Sequence, residues 1–203
     1  MKRKDIDKDK TTLLYGTKFV KLYDLNFQKD AHYYIASRKN EEELAVKKNE
    51  KELERSKADG VGVVLIVNGK LYLNHEYRLP IGQNILSVPA GLIEKDEDVL
   101  TAARREIKEE TGLDVDSLEI LSPLMFSSPG LTDESNAMVL AYASDLSKAT
   151  QNGCEDVECF EGYSLLDKEE VRKIIKDAHD GNYNFYSVYT IVAMLYYLCL
   201  EQL

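Results

Sequence analysis

Three glutamates near the middle of the chain, Glu106, Glu109 and Glu110, stand at i, i+3 and i+4. A helix through them projects their carboxylates from one face. Val99 and Ala103 lie seven residues before Glu106 and Glu110, so this face continues an apolar stripe instead of opposing it. Like charges at neighbouring positions destabilise a bare helix, and carboxylates turned inward need a partner. A hard divalent cation meets both requirements, since carboxylate oxygens are the ligands that Mg²⁺ and Mn²⁺ prefer. Arg105 and Glu97 are close enough in sequence to hold such a cluster in place. The ordinary meaning of a charge run is a solvated helix face, and the full spacing argues against it here. From Gly91 to Leu113 the chain reads G-x₅-E-x₇-R-E-I-x-E-E-x-G-L, the fixed positions being Gly91, Glu97, Arg105, Glu106, Ile107, Glu109, Glu110, Gly112 and Leu113. From average residue usage, a chance match in a chain this long is on the order of one in ten million or rarer.

This pattern resembles the Nudix box, complete and without a departure. In Nudix hydrolases the box forms a loop–helix–loop that binds metal and a nucleoside diphosphate linked to another group. The flanks here are Glu76-Tyr77-Arg78-Leu79-Pro80, then Val88-Pro89-Ala90-Gly91-Leu92-Ile93-Glu94, and later Ser127-Ser128-Pro129-Gly130-Leu131-Thr132-Asp133-Glu134. They look like the ADP-ribose pyrophosphatase branch, which is marked by a proline 16 positions after the box; Pro129 lies 16 after Leu113. The resemblance covers roughly residues 14 to 200, apart from a charged insertion at 39–57.

Carried onto this chain, the resemblance implies Glu106 and Glu110 as the main metal ligands, with Glu109 joining them and the Ala90 carbonyl completing the site. The implied ion is Mg²⁺, with Mn²⁺ as the alternative. Glu97 and Arg105 would fix the helix and its ligands. Arg78 and Arg38 would clamp the diphosphate, a guanidinium offering a bidentate fork to phosphate oxygens; an ordinary surface salt bridge is the plainer reading of Arg78. Phe19, Tyr33 and Tyr34 occupy the stretches whose aromatics stack on adenine in the family, often as tryptophans, of which this chain has none. Each of the three could equally be packing in a core or interface. Pro129, Gly130 and Leu131 join the substrate-binding set. A late loop glutamate near the attacking water corresponds to Glu155, with Asp156 and Glu158 as neighbours to which the role could slip. The implied reaction is hydrolysis of a diphosphate linkage, ADP-ribose giving AMP and ribose 5-phosphate. Another nucleoside diphosphate sugar, a dinucleotide such as NADH, or a damaged nucleotide are alternatives within the family. A sensor that binds ADP-ribose without cleaving it is the alternative from another class, but the box is intact and no basic helix-turn-helix segment is present. The branch commonly forms homodimers through its N-terminal strands, and a homodimer is expected here.

The elements that must position these residues are legible in outline. Lys18–Tyr23 and Tyr33–Ala36 read as strands of a hairpin or small meander, with a polar turn at Gln28–Asp30. Residues 39–57 have helix formers but too few apolar residues for a buried stripe, and read as a solvated helix or mobile linker. The apolar run Val61–Val67 predicts a strand covered on both faces, Asn68-Gly69 a hairpin turn, and Leu71–Leu73 the return strand. Ile85–Ala90 predicts a strand that Pro89 ends. Val99, Ala102, Ala103 and Ile107 predict a helix over 98–110, with acidic residues at its start and Gly112 after its last turn. Strands follow at Leu118–Leu121, Ala137–Tyr142 and Gly162–Leu166, then helices near 168–179 and 186–200. The expected fold is α+β, an α/β/α sandwich with a mixed sheet between helices and a small N-terminal antiparallel region. Residues 1–58 form the N-terminal strands and insertion, read as dimerisation and base-binding elements, and 59–203 the hydrolase domain.

Composition narrows the partners. Lys and Arg number 26 against 36 Asp and Glu, a net charge of −10. That balance repels nucleic acid and anionic membranes, yet allows a small anionic substrate if a cation inverts the local field. Cys154, Cys159 and Cys199 lack zinc spacing and read as reduced thiols; His32, His75 and His179 are dispersed. The first ten residues are charged with no apolar run behind them, and the run Val188–Leu200 is too short to span a bilayer, so a cytoplasmic protein is expected.

Overall fold

The computed structural model describes residues 10–28, 31–149 and 159–200, so Cys154, Glu155, Asp156 and Glu158 lie outside the described residues. The chain divides into two units, residues 1–59 with 124–136 and residues 60–123 with 137–203.

In the first unit, β1 (Thr11–Gly16), β2 (Lys21–Gln28) and β3 (Ala31–Ser37) form an antiparallel three-stranded sheet in chain order. β1 was not expected: its residues are almost all exposed, so no alternation marks it. The strand expected from Lys18 begins at Lys21, because Thr17–Val20 is a turn closed by the Thr17 N–H donating to the Val20 carbonyl at 2.9 Å. Alternate residues of β2 turn inward, and Tyr23 and Leu25 pack with Ile35 and Leu44. Leu44 corrects the expectation for 39–57. The segment forms two short 3-10 turns, Glu41–Glu43 and Ala45–Lys47, followed by the single-turn helix α1 (Glu50–Glu54), and Leu44 between the turns is fully buried. One leucine, backed by Val46, anchors the stretch where periodicity showed no stripe. Polar bonds fasten it further: the Asp133 carboxylate accepts the Ala45 N–H at 2.9 Å, and Lys39 Nζ reaches Asp59 Oδ2 at 2.5 Å and the Asp133 carbonyl at 2.9 Å.

The second unit is built on β4 (Gly60–Val67), buried at every residue as its unbroken apolar run requires. Asn68 and Gly69 both take positive φ, 49° and 79°, the geometry of a tight primed hairpin turn. β5 (Lys70–Arg78) returns antiparallel and runs five residues past Leu73, so Asn74 and Glu76 are buried within it. β6 (Gln83–Ser87) pairs with β5, and β7 (Ala90–Leu92) pairs with β4, so the single strand expected over Ile85–Ala90 is two: the first stops at Ser87, before Pro89, and Ala90 opens the second on a different partner. α2 (Val99–Thr111) starts at Asp98, whose carboxylate accepts the N–H groups of Leu100 and Thr101 at 2.9 and 3.0 Å. The Thr101 bond, first among these, holds the Asp98 carboxyl below its usual range. The helix ends at Gly112 with φ 73°, and its fully buried Ala102, Ala103 and Ile107 form the stripe on the side packed against β4 and β7.

β8 (Ser117–Phe126), β9 (Ser135–Ala143) and β10 (Cys159–Leu166) complete a seven-stranded mixed sheet of order β10-β5-β4-β9-β8, with β6 and β7 attached. The ends of β8 and β9 nearest residues 124–136 cluster with the first unit. α3 (Lys168–His179) packs on α4 (Val188–Cys199) and β10, while α4 also contacts β4, β5 and β6. The architecture is α+β, as expected, with β8 and β10 longer and α4 slightly shorter than the sequence pattern indicated. Among the described residues, no helix is long and apolar enough to cross a membrane.

Candidate active site

α2 presents its acidic residues unequally. Glu106 and Glu110 are 8% and 5% exposed, whereas the Glu109 side chain is 53% exposed. Helical spacing explains the split: with about 3.6 residues per turn, Glu109 and Glu110 lie to opposite sides of Glu106. The single inward face expected for all three is thus two buried carboxylates and one at the rim. Both buried groups meet the strand end at Ala90 and Gly91. Glu110 Oε1 accepts the Ala90 N–H at 3.2 Å, and Oε2 accepts the Asn74 side-chain amide at 2.6 Å. Glu106 lies so close over Gly91 that a Cβ at this position would fall within its carboxylate. A side chain here would have to displace that carboxylate, so the first glycine of the motif keeps Glu106 in its place, without any positive φ.

Arg105 ties the cluster together. Its Nε and Nη2 bond Glu97 Oε1 and Oε2 at 3.0 and 2.9 Å, a bidentate fork. Nη1 reaches Glu106 at 2.8 Å and Glu109 at 3.0 Å, and Nη2 also donates to the Leu92 carbonyl at 2.9 Å. These bonds, Glu97 first, raise the guanidinium further above its already high pKa. Glu97 in turn accepts the Glu94 N–H at 3.1 Å, fastening the loop before α2.

Among the described residues, no three His, Cys, Asp or Glu side chains converge into a ready-made cage. The donor set is instead oxygen-rich and one-sided. That chemistry fits a hard divalent ion that keeps part of its water and takes one or two carboxylates plus phosphate oxygens.

Arg78 and Ala90 line one cleft of about 240 Å³, together with Ser87, Tyr186 and Tyr189. Arg78 Nη1 pairs with the buried Glu76 at 2.8 Å while its side chain stays half exposed, which leaves other donors of the fork facing outward. In the first unit, the structure brings Tyr33 to the Pro129–Leu131 loop: its hydroxyl donates to the Gly130 carbonyl at 2.6 Å, and Ala36 N–H donates to Leu131 at 2.9 Å. Arg38 pairs with Glu134. Phe19, Tyr33 and Tyr34 are 66%, 43% and 55% exposed, which removes the core-packing reading for all three. Phe19 carries Lys18 over its ring at 5.4 Å, and Tyr34 stacks on His32. His75 Nε2 lies 2.8 Å from Ser164 Oγ and His32 Nδ1 2.7 Å from Asp24, both ordinary pairings. Sequence reading missed Asn74, Tyr186 and Tyr189. For Asn74 the signal existed, a lone amide directly after Leu71-Tyr72-Leu73; the tyrosines precede or open an apolar helix and carry none.

Comparison with known proteins bears on this arrangement. The NUDIX domain profile matches residues 56–189. The chain is 39% identical over 126 residues to putative nudix hydrolase 2 of Caenorhabditis elegans, covering 60% of this chain and 56% of that protein. It is 33% identical over 144 residues to the methanol dehydrogenase activator of Bacillus methanolicus, covering 70% of this chain and 74% of that protein. It is 34% identical over 116 residues to the ADP-ribose pyrophosphatase of Saccharomyces cerevisiae, covering 50% of this chain and 49% of that protein. The chain thus spans about half the length of the first and third of these. A crystal structure of an ADP compounds hydrolase superposes with a TM-score of 0.61 over 95% of this chain and 91% of that one, at 21% identity, a likeness of fold.

Proposed function

The chain belongs to the Nudix family, and from that premise we propose that it hydrolyses the diphosphate linkage of a nucleoside diphosphate derivative, ADP-ribose first among them. The observation that carries this reading is the pair of buried carboxylates, Glu106 and Glu110, held over Ala90–Gly91 in an intact box. The similarity to the yeast ADP-ribose pyrophosphatase supports ADP-ribose as the substrate.

In this reading Glu106, Glu110 and Glu109, with the Ala90 carbonyl, would hold divalent metal, Mg²⁺ first and Mn²⁺ as the alternative. Such an ion would supply positive charge against the diphosphate oxygens and make water more acidic. Arg105 and Glu97 keep the carboxylates oriented. Arg78 and Arg38 bind phosphate oxygens through the free edges of their forks. Phe19, Tyr33 and Tyr34 stack on the base, and Pro129, Gly130 and Leu131 contact substrate. Glu155 orients the attacking water, whose oxygen joins one phosphorus as the bridging P–O bond breaks, giving AMP and ribose 5-phosphate. The protein acts in the cytoplasm as a homodimer.

The test is a hydrolysis panel with Mg²⁺ over ADP-ribose, NADH, UDP- and GDP-sugars and deoxynucleoside triphosphates, with products resolved by chromatography. Preferential release of AMP from ADP-ribose is expected. Preference for another diphosphate would move the substrate assignment within the family. No turnover of any of them, with ADP-ribose still binding, would overturn catalysis in favour of a sensor.

A further inference from the structure

Asn74 is the one amide in the apolar stretch Leu71-Tyr72-Leu73-Asn74, and it is completely buried. It lies on β5 directly across from Ser87 of β6 and from Tyr163 of β10. Its Nδ2 donates to Glu110 Oε2 at 2.6 Å, a short hydrogen bond. Since a carboxylate offers acceptors, the amide nitrogen must be the end that faces it, and this fixes the amide's orientation. The other end, Oδ1, is inaccessible and has no partner, and neither has the neighbouring Ser87 Oγ. An unpartnered buried acceptor is unfavourable, and a leucine here would continue the strand's apolar pattern without one. What the amide supplies is the bond to Glu110.

That bond has a geometric consequence. The Ala90 N–H, on β7, holds one oxygen of Glu110, and Asn74, on β5, holds the other. The Ala90 bond engages Oε1 alone. Two donors on two strands fix both its position and its plane. We infer that Asn74 is a positioning residue for Glu110, setting the carboxylate in the orientation in which it meets a divalent cation. The inference rests on the reading of Glu110 as a metal carboxylate and adds a residue that the motif does not contain.

The experiment measures Mn²⁺ affinity by electron paramagnetic resonance on the full chain without substrate, for the wild type, Asn74→Leu, Asn74→Ala and Glu110→Gln. Outer partners of metal ligands typically contribute about 10–100-fold in affinity. Both Asn74 variants are expected to weaken Mn²⁺ binding about tenfold or more, and to lower kcat with KM for ADP-ribose little changed. Leucine fills the site and alanine empties it, so a packing defect would separate the two variants, whereas loss of the donor affects them alike. Affinity within twofold of the wild type in whichever variant folds, with Glu110→Gln losing the ion, would overturn the role of Asn74 alone. Unchanged Mn²⁺ affinity in Glu110→Gln would instead overturn the metal reading beneath it.

Discussion

At the scale of single residues, the site is governed by close approach and by shared hydrogen bonds. Gly91 has no room for a side chain beneath Glu106. Gly91→Ala must push that carboxylate aside or shift β7. Activity is expected to fall at least tenfold while the circular dichroism spectrum and melting temperature change little; an alanine variant with wild-type kcat would show that Glu106 does not need its place. Arg105→Lys keeps the charge but loses the fork that grips Glu97, and a single ammonium cannot reach four acceptor groups in fixed directions. A loss in kcat of about 10–100-fold is expected, by analogy with other residues that orient ligands, checked by steady-state kinetics beside a metal titration.

At the scale of elements, α2 is defined by its ends and one strip of small and apolar residues. Gly112 stops it in the left-handed region, where a Cβ is unfavourable, so Gly112→Ala is expected to cost about 1 kcal/mol in urea unfolding. Leu44 does for the 39–57 segment what a whole stripe does for a longer helix. Leu44→Ala is expected to destabilise the first unit by about 2–5 kcal/mol, read locally as faster hydrogen exchange of β2 and β3 amides. These elements also show where sequence reading succeeds. β4, the Asn68-Gly69 turn, α2 and α3 were legible because each has an unbroken apolar run, a turn dipeptide or a 3.6-residue period. β1 was not, being exposed on almost every residue, and Leu44 was not, because one apolar residue makes no pattern. In the site, the box located the carboxylates of α2, but the unequal burial of Glu106, Glu109 and Glu110 depends on strands that only the fold supplies. Asn74 lies outside the motif and gains its meaning from β5 alone.

At the scale of the whole molecule, the net charge of −10 and the exposed aromatics of the first unit frame the proposed assembly. Leu13, Leu14, Tyr15, Phe19 and Tyr34 are each about half exposed or more, a large apolar display for a three-stranded sheet. Light scattering at micromolar concentration is expected to give twice the 23.1 kDa chain mass. A monomer would count against a homodimer built on these strands and would leave the metal reading untouched.

The saturation of Arg105 carries a last consequence. A guanidinium has five N–H donors, and Arg105 makes five bonds, two to Glu97 and one each to Leu92, Glu106 and Glu109. None is left over for a phosphate oxygen, so this arginine serves the scaffold and cannot greet the substrate. Counted formally, Glu97, Glu106, Glu109 and Glu110 against Arg105 give −4 + 1, or −3, on one short helix and the loop before it. An approaching polyanion is repelled there until positive charge has arrived. Under the proposed function, cation and polyanion would then be heterotropic ligands of one another, each raising the affinity of the other by the same factor.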